Sequence, residues 1–136
     1  MITKLLMLWK ASRAPNTKIG PEHRECLKLV SFLQSQVLEH GNRLIWLHIA
    51  NEYAGKPRYV FGQLLKALGK IAGAPDYALV KDGRVLFLEM KASKGKQSDM
   101  QLFFADWCKW AGCPYEIAYS FQEAVIILKK YNYVID

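Results

Sequence analysis

The sequence predicts an α/β domain in which a central mixed sheet is flanked by helices. Three observations predict it. Two long segments carry apolar residues at helical spacing. An Asp82-Gly83 dipeptide joins two apolar strand segments, the pairing that favours a two-residue hairpin turn. Read in order, the segments alternate as helix, strand, helix, hairpin, helix, strand, helix, a pattern that buries its apolar faces by layering helices on a sheet.

The elements follow in chain order. Ala14 to Gly20 ("APNTKIG") reads as a loop, which sets residues 1–20 apart as an N-terminal appendage to a single domain spanning 1–136. Within it, "LLMLW" is shorter than the h-region of about 7 to 15 apolar residues of a signal peptide, and far shorter than the roughly 20 of a membrane helix. It is expected to pack or to form a dimer contact. Pro21 suits a first helical turn, Glu22 and Glu25 suit the positive end of the helix dipole, and Gly41 marks a stop. Cys26, Val30, Leu33 and Val37 form the apolar stripe of that helix, widened by Leu29 and Leu38. Leu44 to Ile49 is a strand, "GKPRY" a loop, and Val60 to Leu68 a helix ending near Gly69. Ser98 to Ala111 is a helix stopped by Gly112, with Leu102, Phe103, Ala105, Trp107 and Trp110 as its apolar positions. Tyr115 to Ser120 is a strand, and "FQEAVIILKKY" a last helix capped by Ser120.

The hairpin between Ala74 and Ala92 carries the chemistry. With Asp82-Gly83 as a two-residue turn, Lys81 pairs with Arg84, and continuing that register sets Asp76 opposite Glu89. Directly opposite residues share a face, with Cβ atoms about 4.5–5.5 Å apart. Lys91, two residues beyond Glu89, shares that face. Ala78, Val80, Val85 and Phe87 continue it, and Tyr77, Leu79, Leu86, Leu88 and Met90 form the other, so both faces are apolar, as in a central strand pair. Two opposed carboxylates repel; either one takes up a proton or a cation sits between them. Hard divalent ions suit carboxylate oxygens, and a lysine beside one stabilises developing negative charge. Taken alone, Glu-x-Lys is most often a pair of surface charges, and Asp after Pro is ordinary turn chemistry. The register makes the set equipment for metal-assisted phosphodiester hydrolysis.

Charge agrees with that chemistry. The chain of 136 residues has a net charge of +7 and a pI near 9.4, which favours a polyanionic partner. Lys56, Arg58, Lys66 and Lys70 precede Asp76 with no acid from Ala54 to Pro75, and Lys94 and Lys96 follow Lys91. Lys94 and Lys96 read as DNA contacts; for Lys66 and Lys70 phosphate contact and a solvated helix face weigh equally. "GKQS" lacks the earlier glycine of a phosphate-binding loop, whose place is taken by Met90, which excludes nucleoside-triphosphate binding. Three cysteines at spacings of no zinc motif read as reduced thiols in a cytoplasmic protein. His23, His40 and His48 form no ligand pair and read as structural. Phe103, Phe104, Trp107 and Trp110 read as core or dimer surface before base-stacking platform.

"GAPD" followed by "FLEMKA" resembles the PD-(D/E)xK nuclease signature, in the VRR-NUC branch of virus-type replication-repair nucleases. The likeness extends through "PEHRECLKLVSFL", "HIANEYAGKPR" (with Asn51), "LKALGKIAGAPDYALV", "FLEMKASKGKQSDMQ" and "WAGCPYEIAYSFQEAVIIL", covering about Pro21 to Leu128. The resemblance implies a restriction-endonuclease-like core and a Mg²⁺- or Mn²⁺-dependent DNA endonuclease. Carried onto this sequence, Asp76 and Glu89 are metal ligands assisted by the Met90 carbonyl. Glu22 is the acid from the leading helix, preferred over Glu25. Lys91 positions the attacking water, and Gln101 supports the site. Cys26 stands where the family often has Gln, and Lys96 where it often has Arg. Standalone members are similar to Holliday-junction resolvases and homodimeric, so branched DNA and a second copy are the expected partners, with no membrane. The alternatives are a nuclease for flaps, nicks or duplex, and a catalytically silent DNA-binding module of the same fold.

Overall fold

A computed structural model of the chain describes residues 1–9, 18–49, 59–92 and 95–136. Asn51, Lys56, Arg58, Lys94, and the Ala14 to Thr17 part of the first loop therefore lie outside the described residues. The elements are α1 (Ile2–Leu8), α2 (Pro21–Leu38), β1 (Ile45–His48), α3 (Tyr59–Ala67), β2 (Tyr77–Lys81), β3 (Arg84–Met90), α4 (Asp99–Ala111), β4 (Tyr115–Ala118) and α5 (Phe121–Lys130). The sheet order is β1-β2-β3-β4, antiparallel except for the parallel β3/β4 pair. The α/β class and the mixed sheet flanked by helices are as the sequence predicts. The hairpin supplies the two central strands, which is why both of its faces are apolar.

Local signals set the element ends. Pro21 begins α2, and Gly41 follows it at φ 65°, a conformation that costs glycine nothing. Asp82 (φ 52°) and Gly83 (φ 71°) both take the left-handed conformation that a tight hairpin turn requires. The Ser98 hydroxyl accepts from the Gln101 N–H while the Gln101 side chain accepts from the Ser98 N–H, a reciprocal cap on α4. Gly112 closes α4 in the left-handed conformation, and the Ser120 hydroxyl caps α5 by accepting from the Glu123 N–H.

Helices α2 and α5 cover one sheet face. Leu29, Leu33, Leu79, Leu86, Leu88 and Leu128 are fully buried there, joined by Tyr77 and Met90. Gln36 is buried too, which its polarity did not predict. Its side chain donates to the Ile135 carbonyl and accepts from the Ile135 and Asn42 N–H groups, so burial leaves it satisfied. Helix α4 covers part of the other face, with Phe104 and Cys108 set against Phe87 and Tyr115. The expectation for α4 needs correcting. Phe104 and Cys108 are its core residues, while Leu102, Phe103, Trp107 and Trp110 are exposed. A single sheet layer offers a helix only a narrow stripe, and Phe104 with Cys108, four residues on, fills it. Helix α1 has no buried residue, but Trp9 beyond it lies against Trp46, with ring centroids 5.0 Å apart.

Candidate active site at the open end of the hairpin

The β2/β3 register is the one the turn dictates, with Lys81 opposite Arg84 and Tyr77 opposite Leu88. One step further stand Asp76 and Glu89. They are locked reciprocally, since the Asp76 N–H donates to Glu89 Oε2 at 3.2 Å and the Met90 N–H donates to Asp76 Oδ2 at 2.7 Å. The His48 Nδ1–H donates to the Asp76 carbonyl oxygen at 3.0 Å, and the Ile49 N–H to the same oxygen at 2.7 Å, which ties β1 to the site. Pro75 is fully buried just before Asp76.

Glu89 is 4% exposed. Its Oε1 accepts from Gln101 Nε2 at 3.1 Å and lies 3.8 Å from Lys91 Nζ. Its carboxyl is pushed up to about 7, first by burial and next by the Asp76 carboxylate. The Lys91 ammonium and the Asp76 N–H act the other way, and Glu22 adds a further upward push. Lys91 is itself mostly covered along its side chain. Glu22 is half-buried on the first turn of α2, close enough to act electrostatically on Glu89 and Cys26, whereas Glu25 is held by Lys28 at 2.9 Å. Of the two acids, Glu22 is the one whose charge acts on Glu89.

Close to Asp76 lies a feature the sequence did not reveal. Cys26 and Tyr77 share a side-chain hydrogen bond, and burial pushes the Cys26 thiol up to about 11 and Tyr77 above its ordinary range. Both stay neutral at physiological pH, so neither adds charge near Asp76. Gly73 is a second such feature. At φ +79° its added Cβ would lie 2.3 Å from the Met100 carbonyl carbon and 2.6 Å from the Gln101 nitrogen. The loop leading into Asp76 thus rests directly on the first turn of α4, and Gln101 reaches Glu89 because of it. A glycine three residues before a candidate acid was the signal available in the sequence.

Among the described residues no group of three or more His, Cys, Asp and Glu side chains converges to hold a metal. The protein offers instead the Asp76/Glu89 pair with the Met90 carbonyl, which leaves the strand on the same side as the Met90 N–H that meets Asp76. This donor set fits a hard divalent ion. All its atoms are oxygens, two carboxylates suffice for Mg²⁺ because it keeps several waters, and a cation relieves the repulsion that raises Glu89. Lys66 and Lys96 are exposed, the first in the last turn of α3 and the second just before α4; Lys70 is half-buried after α3.

No family model matches the sequence, and no curated protein matches it. A solved structure described as a "VRR_NUC domain protein" is similar to this chain with a TM-score of 0.58. The likeness covers 88% of this chain and 94% of that one, at 14% sequence identity. At that identity the two share a fold.

Proposed function

We propose that this chain is a Mg²⁺- or Mn²⁺-dependent DNA endonuclease that acts on branched DNA, four-way junctions foremost, as a cytoplasmic homodimer. One observation carries the reading: a buried carboxylate, Glu89, opposed to the half-buried Asp76, with an ammonium 3.8 Å from Glu89. The nuclease name of the structural neighbour agrees with it. Asp76, Glu89 and the Met90 carbonyl would hold the ion, with Glu22 facing it from α2. When bound, the ion supplies Lewis-acid charge and lowers the pKa of a water.

The chain's own groups do the rest. Lys91 holds its ammonium where negative charge grows on the phosphoryl oxygens and aligns the attacking water. Gln101, fixed by its cap with Ser98, keeps Glu89 Oε1 in place without adding charge. Lys66, Lys70, Lys94 and Lys96 neutralise backbone phosphates on either side of the acids.

The test is cleavage of a labelled four-way junction against matched duplex, flap and single strand, in Mg²⁺, Mn²⁺ or EDTA. Symmetric cuts in the junction, lost in EDTA and in Asp76→Ala, Glu89→Ala or Lys91→Ala, are expected. Cuts confined to flap, nick or duplex would keep the site and discard the junction. Binding without cleavage, or full activity in any of the three variants, would overturn the mechanism.

A further inference from the structure

Gln101 holds the Glu89 carboxylate from α4, and Asp76 has a counterpart on β1. His48, the last residue of β1, stands opposite Tyr77 in the strand register, so the two side chains share a face. The imidazole is exposed, yet two contacts fix it. Its ring lies against the ring of the buried Tyr77, with centroids 5.1 Å apart. Its Nδ1–H donates to the Asp76 carbonyl oxygen at 3.0 Å. A carbonyl oxygen only accepts, so Nδ1 carries a proton here, and it does so whether the ring is neutral or charged.

That bond is not needed to satisfy the oxygen. The Ile49 N–H already reaches it at 2.7 Å, just past the last paired residues of β1 and β2. A second donor on the other lone pair adds direction instead. The Asp76 N–H is tied to Glu89 Oε2, and the Asp76 carbonyl is tied to β1, so the peptide planes on both sides of the Asp76 Cα are held. Those planes set where the Cα–Cβ bond points, and with it the carboxylate that accepts from the Met90 N–H. Pairing is weakest where an element ends, so a side-chain donor counts most at this rung. The Ile49 N–H would be present with any residue at position 48; the imidazole bond depends on His48 itself.

We infer that His48 is a positioning residue: through the Asp76 carbonyl it fixes the direction of the Asp76 carboxylate for a divalent ion. The inference rests on the metal-dependent reading of the proposed function and adds a residue to it. Partners that orient a metal's ligands cost about ten- to a hundred-fold in metal affinity or activity when removed. His48 acts on the backbone of a ligand and not on its carboxylate, which places its effect at the low end of that range.

The experiment uses the full chain and compares His48→Phe with His48→Asn. Phenylalanine keeps a ring against Tyr77 and lacks the N–H. Asparagine loses the ring and brings an amide N–H to about the place of Nδ1. Calorimetry measures Mn²⁺ binding, steady-state cleavage separates kcat from KM, and thermal unfolding in EDTA checks the fold. His48→Phe is expected to weaken Mn²⁺ binding about ten-fold, with KM for DNA and the unfolding temperature in EDTA unchanged. His48→Asn is expected to restore most of the Mn²⁺ affinity. Wild-type Mn²⁺ affinity in His48→Phe would overturn the positioning role and leave the nuclease reading standing. An equal loss of affinity in both variants would also overturn it, because the N–H would then not be the agent. A raised KM in both variants with Mn²⁺ affinity intact would make His48 a DNA contact instead. A wild type with no Mn²⁺ site would overturn the metal-dependent reading and this inference together.

Discussion

Glu89→Gln should make the metal-free protein more stable above neutral pH, although it removes an acid from the centre of the site. The Glu89 carboxyl is buried and faces the Asp76 carboxylate, so in the folded chain it holds its proton up to about 7 against an ordinary 4.5. Between those two values the folded chain keeps a proton that the unfolded chain has released. Stability therefore falls as pH rises through the window and is lowest above it. At about 1.4 kcal/mol per pH unit, the interval amounts to about 3 kcal/mol. Glutamine is neutral throughout but offers one acceptor where Glu89 uses two, for Asp76 N–H and Gln101 Nε2, a loss of about 1 kcal/mol. The net expectation is a variant more stable than the wild type by about 2 kcal/mol above pH 8, with the advantage gone near pH 4. Urea unfolding in EDTA across that range, followed by tryptophan fluorescence, measures it. Groups common to both proteins cancel in the difference. Saturating Mn²⁺ should reverse the order, adding about 2.7 kcal/mol to the wild type at a hundred times its Kd and nothing comparable to the variant. A wild type that gains stability relative to Glu89→Gln as the pH rises from 5 to 8 would refute a buried Glu89 opposed to Asp76.

Gln101→Ala should lower kcat by about ten- to a hundred-fold with KM for DNA unchanged, because it frees Glu89 Oε1 and touches no substrate; steady-state cleavage separates the two constants. Gly73→Ala should cost about 2–4 kcal/mol in thermal unfolding and weaken Mn²⁺ binding by calorimetry, since its Cβ collides with the Met100 carbonyl at a positive φ; unchanged Mn²⁺ affinity would break the link between that loop and the site. Lys66→Ala and Lys96→Ala should each reduce the salt dependence of DNA binding by about one counterion without altering cleavage pattern, as measured by anisotropy over a salt series.

Much of this protein is legible in its sequence because the signals are local. Asp82-Gly83 fixes the turn, the turn fixes the register, and the register brings Asp76 to Glu89. Ser98 with Gln101, Gly112 and Ser120 likewise mark the ends of α4 and α5 through bonds spanning a few residues. Other features depend on contacts between segments far apart in the chain. Helical spacing showed that α4 is apolar, but it could not say that the sheet would take Phe104 and Cys108 and leave Trp107 and Trp110 outside. That depends on where the helix lies across the strands. Gln36 was invisible as a core residue because the backbone that satisfies most of its side chain, at Ile135, is 99 positions away. Cys26 reads as one more buried thiol until α2 sets it against Tyr77.

By itself the sequence determined the order of the elements, the hairpin and the meeting of two acids with a lysine, because turn conformation and strand alternation are short-range and admit few solutions. Only the tertiary structure decided that the charge of Glu22 acts on Glu89, how closely Gly73 approaches α4, and that Phe104 and Cys108 rather than Trp107 and Trp110 meet the sheet. Those outcomes follow from how layers cross and how closely backbones approach, and a linear pattern of residues does not contain them.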